Sequence, residues 1–160
     1  TKQILIQKKI IDVISAFELV KDNILLKYHN NIQINFESEN KFQILADEFH
    51  FYNMVYNILD NAVKYSKADA VIDVLIKENP KGLLLKFKDN GVGIPENDLP
   101  FVFDKFFRVA RENSKDIEGF GIGLSYVKRV CEWHKWKVFV TNNEDKGITV
   151  TIQLNKNDYE

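Results

Sequence analysis

Residues 47–65 read Asp-Glu-Phe-His-Phe-Tyr-Asn-Met-Val-Tyr-Asn-Ile-Leu-Asp-Asn-Ala-Val-Lys-Tyr, and two patterns are superimposed on them. Phe51, Met54, Val55, Ile58, Leu59 and Ala62 recur at the three- and four-residue steps of a helix with one apolar face. Asp47 stands where an N-cap carboxylate would accept from the first turn, and the pattern ends near Tyr65. Asn57, Asn61 and Lys64 fall at i, i+4 and i+7, so they share a second, polar face of the same helix. An amide oxygen is a hard ligand suited to Mg2+, and a lysine one turn later reaches the phosphates such a metal bridges. For any one of these residues a solvated helix face is the bland reading; three in register on an otherwise apolar helix shift the balance toward a site.

Upstream, Gln3 to Ile6 reads as a first strand, and Lys8 to Tyr28 as a helix whose apolar face is Ile10, Ile14, Phe17, Ile24 and Tyr28. Asn30-Asn31 breaks it, Ile32, Ile34 and Phe36 alternate as in a half-buried strand, and Ile44-Leu45 is a short run. Downstream, Ile72, Val74 and Ile76 form one strand face, and Leu83, Leu85 and Phe87 the next after the Asn79-Pro80-Lys81-Gly82 turn. From Asp89 to Gly119 the chain is irregular, punctuated by Pro95 and Pro100, and a loop of that length is usually a lid or a binding segment. Gly123 to Trp133 is a helix, and Val138–Val140 and Ile148–Leu154 are the last strands, with Gly82 and Gly147 as hairpin turns. The pattern predicts an α+β fold: a two-layer α/β sandwich with a mixed, mostly antiparallel sheet of about five strands and three main helices on one face.

The 160 residues are 45% hydrophobic and 28% charged, values of one ordinary globular domain. A net charge of −1, from 22 basic and 23 acidic residues, argues against nonspecific nucleic-acid binding, which needs a basic surplus. The longest apolar run is three residues, too short for a membrane span or a signal-peptide core. Cys131 stands alone, so neither an internal disulfide nor a cysteine-only zinc site can form. No GxxxxGK[ST], HExxH or GxSxG motif is present, and His29, His50 and His134 are scattered, each better read as structural than catalytic. The chain begins at Thr1 without a methionine, which implies a piece of a longer protein.

Three further clusters carry possible chemistry. Asp89-Asn90-Gly91-Val92-Gly93-Ile94-Pro95 follows a strand: an aspartate there can accept from an exocyclic amine, and two glycines let backbone lie against a flat ligand. Its bland reading is an Asp/Asn-Gly turn. Gly119-Phe120-Gly121-Ile122-Gly123-Leu124 opens a helix, where backbone N–H groups favour anions; the bland reading is a hinge. It follows a polar loop rather than a strand and lacks GxGxxG spacing, which argues against a dinucleotide fingerprint. Phe101, Phe103, Phe106 and Phe107 stand in a polar region with Lys105 and Arg108 between them, either packing the loop down or forming a patch for a partner.

Taken in order, Asn-x-x-x-Asn-x-x-Lys-Tyr, Asp-x-Gly-x-Gly-Ile, Phe-x-x-Phe-Phe-Arg and Gly-x-Gly-x-Gly-Leu resemble the N, G1, F and G2 boxes of the catalytic ATP-binding domain of bacterial sensor histidine kinases. The resemblance covers nearly the whole chain, and the wider superfamily holds gyrase-type topoisomerases, a heat-shock chaperone and mismatch-repair ATPases. It implies that Asn61 is the Mg2+ ligand with Asn57 in support, that Lys64 contacts phosphates, and that Tyr65 lies against base or ribose. It also implies that Asp89 accepts the adenine N6 amine, that Gly91, Gly93 and Ile94 admit the ring, and that Arg108 and Lys105 approach the γ-phosphate. Gly119, Phe120, Gly121, Ile122, Gly123 and Leu124 would wrap the triphosphate, residues 104–118 would form an ATP lid, and the phenylalanines would dock on a dimerisation domain.

Asn57 stands where hydrolytic superfamily members carry a water-activating glutamate, and an amide is no base near neutral pH. The resemblance therefore implies slow hydrolysis and transfer of the γ-phosphoryl group to a histidine, with Asn57, Lys64 and Arg108 as the catalytic set. The family's acceptor segment, His-[Glu/Asp]-x-[Arg/Lys]-[Thr/Asn]-Pro, matches none of the three histidines, so residues 1–160 read as a catalytic domain without its dimerisation domain and unable to autophosphorylate alone. The implied partners are the dimerisation and histidine-phosphotransfer domain of a homodimeric, membrane-anchored parent and a downstream response-regulator receiver domain. The domain itself would be cytoplasmic and monomeric, without nucleic-acid or direct membrane contact. A related anti-sigma-type serine kinase and a degenerate nucleotide-binding module are the alternatives. Two departures stand out: His134-Lys135-Trp136-Lys137 replaces a His-Gly-Gly turn, either reshaping the helix exit or covering an edge with Trp136, and Lys146-Gly147-Ile148-Thr149 replaces Gly-x-Gly-Thr.

Overall fold

Two aspartates set where the first two helices begin. In the computed structural model, which describes residues 5–29, 31–66, 69–105 and 123–160, Asp12 accepts from the Ser15 amide at 2.8 Å and starts α1, Val13–Lys27. Asp47 accepts from the His50 amide at 3.1 Å and starts α2, Glu48–Lys64, as the sequence predicts. The same Asp47 carboxylate takes the Gln7 amide, tying the N-terminal segment to this helix start.

The N-terminal expectations need correction. The five residues before Val13 are a strand, β1 (Lys8–Asp12), not a first helical turn, and Leu5 to Gln7 are not a strand. Gln3 and Ile4 lie outside the described residues. β1 pairs antiparallel with β3 (Gln43–Asp47), matching Lys8 to Asp47 through Asp12 to Gln43, and this ladder outcompetes a helical turn that Asp12 caps off. Ile10 consequently points to solvent, 59% exposed, and the buried stripe of α1 is Val13, Phe17, Val20 and Ile24.

The main sheet runs β2-β4-β5-β7-β6, built from Ile32–Ser38, Ala70–Asn79, Gly82–Asp89, Ile148–Asn155 and Lys137–Asn142 respectively. β2 and β4 are parallel, joined by the crossover that contains β3 and α2; every other pair is antiparallel. The α-helices lie on one face of this sheet, and the core fills the gap between the layers. Phe17 shows how it closes: its ring meets Phe36 of β2 at 5.7 Å, Phe51 of α2 at 6.1 Å and Phe87 of β5 at 5.6 Å. Within the irregular stretch, Glu96–Phe101 forms a 3-10 helix. No helix among the described residues is long and apolar enough to cross a membrane.

The third helix, α3 (Gly123–His134), ends without a glycine, yet its exit is not reshaped. Lys135 takes the left-handed conformation itself, at φ 61°. The Trp136 amide then donates to Cys131 O at 2.8 Å and the Lys135 amide to Glu132 O at 3.1 Å, the paired bonds of a Schellman motif. Trp136 enters the core rather than covering an edge, stacked 4.3 Å from His134 and edge-on to Phe51. His134 is buried beneath it: Nε2 accepts from the Asp47 amide at 3.0 Å and Nδ1 donates to Val130 O at 2.8 Å. That arrangement requires the neutral ring, and burial, aided by Lys8 and His50, holds its pKa below the ordinary histidine value. The imidazole is thus a structural link between α3 and the start of α2.

Candidate functional site

The second half of α2 presents the polar face predicted for it. Asn57 is half-buried and its amide donates to Asn53 O at 2.8 Å. Asn61 lies against the first residue of α3, so close that a Cβ on Gly123 would stand 2.7 Å from its Nδ2. A side chain there would push the Asn61 amide out of its present place. Leu124, the next residue of α3, packs against the core. Lys64 meets Asp60 one turn back at 3.0 Å. Tyr65 caps the helix, and its carbonyl accepts from Val92 N at 3.2 Å and sits 2.9 Å from where a Gly91 Cβ would be. The end of α2 is thereby joined backbone to backbone with the glycine loop after β5.

Asp89 ends β5, buried on the sheet's helix side of that loop's first turn. Its Oδ1 accepts from Gly91 N at 2.9 Å and Ile148 N at 3.1 Å, which fixes the carboxylate's rotamer. Oδ2 carries no hydrogen bond among the described residues and is the oxygen available to a ligand amine. Burial raises the carboxyl pKa, and the two amide hydrogen bonds only partly offset it. The β6–β7 hairpin supports this loop from beneath. Asn142 brackets Ile94, with Oδ1 accepting its N–H at 2.9 Å and Nδ2 donating to its carbonyl at 2.6 Å. Asn143 donates to Asp89 O at 2.9 Å. Gly147, at φ +82°, passes so near that a Cβ would lie 2.1 Å from Asp89 O. Gly93 adopts φ +77°, and a Cβ on it would meet Asn142 Oδ1 at 3.2 Å.

A cavity of about 680 Å3 opens between α2 and α3, lined by Asn53, Asn57, Phe103, Lys105, Tyr126 and Arg129 among others. It brings Lys105 to the same space as Asn57. Phe103 packs against the core under Lys128, while Phe101 is exposed. At the cavity rim His50 Nδ1 meets the Tyr126 hydroxyl at 2.7 Å, and burial together with the Asp47 charge pushes the Tyr126 phenol up to about 12. Arg108, Gly119, Phe120, Gly121 and Ile122 lie outside the described residues, as do Phe106, Phe107 and residues 106–118 of the expected lid.

Sequence reasoning missed Asp60, Asn142, Asn143 and the second role of Gly147. Asp60 is buried within α2, and although burial pushes its carboxyl up, hydrogen bonds from Tyr28, Lys27 and Lys64 outweigh it and hold the group below the ordinary carboxylate range. The Asp60–Lys64 spacing of four was the available signal. Nothing local marks the two asparagines or Gly147 as partners of a loop some fifty residues upstream. No cluster of three or more His, Cys, Asp or Glu side chains among the described residues could hold a metal. A lone amide ligand suits Mg2+ only where phosphates and water complete its shell.

The sequence model of the histidine kinase-, DNA gyrase B-, and HSP90-like ATPases matches residues 46–158. Sensor protein RprX of Bacteroides fragilis is 39% identical over 150 residues, which cover 91% of this chain and 28% of RprX. The chain thus spans under a third of the curated relatives it matches. The mycobacterial sensor histidine kinase MprB superposes with a TM-score of 0.80 at 24% identity, covering 93% of this chain and 97% of that one. Full-length ShkA in complex with AMPPNP superposes at 0.81 with 21% identity, covering 96% and 32%. Both share the fold described above.

Proposed function

The chain belongs to the histidine kinase-, DNA gyrase B-, and HSP90-like ATPase family, and from that membership we propose that it binds ATP with Mg2+ and donates the γ-phosphoryl group to a histidine on a separate dimerisation domain. Residues 1–160 are read as one catalytic ATP-binding domain of a longer sensor kinase. The observation that carries this reading is Asp89: a buried carboxylate with one oxygen locked by two amides and the other left for a ligand, beside a glycine-lined loop. That is an acceptor built for the exocyclic amine of adenine, and it disfavours guanine, whose carbonyl at the same place would oppose it.

Around that anchor, Gly91, Gly93 and Ile94 form the wall for the ring and Tyr65 the edge nearest the ribose. Asn61 would hold Mg2+ from α2, with Asn57 behind it, and the metal would supply neutralisation of the charge on the transferred phosphoryl group. Lys64, Lys105 and Arg108 are the cations for the phosphates, and Gly119 to Leu124 the backbone that wraps them. Asn57 has no basic lone pair, so water is not activated and a positioned imidazole is the better nucleophile. The products are ADP and a phosphohistidine that passes its phosphoryl group to a receiver domain. His134 cannot be the acceptor, since both ring nitrogens are engaged in the core. A cytoplasmic domain on a membrane-anchored, homodimeric parent follows from the same reading.

Calorimetric titration with ADP and a nonhydrolysable ATP analogue, in Mg2+ and in EDTA, tests it. Metal-dependent binding that Asn61→Ala weakens, with adenine preference lost in Asp89→Asn, is expected. A folded domain that binds neither nucleotide at millimolar concentration would sink the proposal.

A further inference from the structure

Asp60 stands one residue before Asn61, yet its side chain, 8% exposed, is engaged with the C-terminal end of α1. Its Oδ1 accepts from Lys27 Nζ at 2.9 Å and from the Tyr28 hydroxyl at 2.6 Å. Its Oδ2 takes Lys64 Nζ at 3.0 Å. Two ammonium groups thus share one enclosed carboxylate. Lys27 is further held by the faces of Tyr28 and Tyr56, at 5.2 and 5.8 Å from the ring centroids.

A buried carboxylate that loses its only cation is left uncompensated at high cost. Asp60 differs, because Lys27 and Tyr28 satisfy Oδ1 independently, and Lys64 can leave Oδ2 without stranding the charge. Lys64 is also the cation that the proposed function assigns to the phosphates, and a triphosphate is the more highly charged acceptor. Resting on that ATP-binding reading, we propose that Asp60 is a positioning residue that competes with bound phosphates for the Lys64 ammonium, and that Lys27 and Tyr28 set how readily it is released. The end of α1 is thereby coupled to phosphate affinity through a single side chain. Weakening the Oδ1 donors concentrates the carboxylate's attraction on Lys64; neutralising the carboxylate frees Lys64 altogether.

The test is calorimetric titration of the Mg2+ complex of a nonhydrolysable ATP analogue into the chain. Asp60→Asn is expected to tighten binding about threefold to tenfold, the range of a partly solvated ion pair. Lys27→Met and Tyr28→Phe are expected to weaken it about twofold to fivefold, with Tyr28→Phe doing so at constant charge. All three effects should vanish in a Lys64→Met background. A merely structural Asp60 gives only loss of binding, so weaker or unchanged affinity in a folded Asp60→Asn overturns the proposal. The same gain in the Lys64→Met background also overturns it, since the general field rather than lysine release would then be responsible. If Asp60→Asn does not fold, Tyr28→Phe decides alone, and wild-type affinity there is the refuting result. A wild-type chain that binds no nucleotide removes the ATP reading and this inference together, whereas normal wild-type binding with unresponsive variants removes only the inference.

Discussion

Gly147→Ala places one methyl group against the proposed adenine acceptor. Built on the existing backbone, that carbon would lie 2.1 Å from Asp89 O and 2.6 Å from Asp89 Oδ1, far inside contact distance, so one segment must move. The residue also sits at φ +82°, where alanine costs about 1–2 kcal/mol. Moving the hairpin away breaks the Ile148 N–H bond to Asp89 Oδ1, a hydrogen bond to a charged group contributing about 1.5–3 kcal/mol. Stability should therefore fall by about 2.5–5 kcal/mol, read by urea unfolding. Adenine nucleotide affinity should fall about tenfold to a hundredfold, because the carboxylate is no longer aimed. Gly82→Ala is the control: its Cβ would lie an equal 2.1 Å from Leu154 O, at the opposite end of β5. It should lose comparable stability while the folded fraction keeps wild-type affinity in calorimetry. Equal nucleotide affinity in the two variants would refute the argument that Gly147 positions Asp89.

Further outcomes follow from local features. Lys135→Gly relieves the left-handed lysine while keeping the backbone carbonyl that Asn155 binds, and should stabilise the chain by about 1 kcal/mol, raising the melting temperature by about 2–4 °C; a lower value would count against strain at that turn. For His134, whose folded pKa is depressed below 6.5, the unfolded chain takes up a proton that the folded chain refuses. Unfolding free energy should be level above that pH and decline as pH falls below it, and His134→Gln should flatten this slope in urea titrations between about pH 5.5 and 7.5, one unit on either side of the ordinary histidine value. Asp89 titrates above the ordinary carboxylate value, so adenine nucleotide affinity should weaken on acidification before exposed carboxylates protonate, a loss measurable against pH by calorimetry and absent from Asp89→Asn.

The sequence made the interior legible wherever periodicity was strong. The stripe of α2 and the alternation of β4 and β5 are written in residues whose burial the structure reproduces, whereas in β7 the polar Gln153 is buried as well, bonded to Asn79 and to Leu83 O. It misled at Lys8–Asp12, where Ile10 and Ile14 mimic helical spacing, because the choice of strand depends on a partner, β3, that lies more than thirty residues away. The motifs of the proposed ATP site stand out because glycines, asparagines and aspartates cluster in short runs. What holds those motifs in place was not visible, since Asn142, Asn143 and Gly147 are individually ordinary hairpin residues.

That division has a physical origin. A ligand-facing residue must be a particular chemical type at a particular place, so its motif is local and dense. A supporting residue need only present a donor or leave a gap at the right point in space, and the sheet can supply that from any strand that passes there. β7 passes beside β5, with Lys88 opposite Thr149, so the turn before β7 necessarily arrives under Asp89. Its first strand-forming amide, Ile148 N–H, then becomes a hydrogen-bond donor to the carboxylate irrespective of the Ile148 side chain. This explains why the departure from Gly-x-Gly-Thr at residues 146–149 leaves the acceptor geometry intact: the amide and Gly147 are what the geometry uses, and both are present. Substituting Ile148 by another strand-forming residue should therefore preserve the Asp89 rotamer, while any residue with a Cβ at 147 should not.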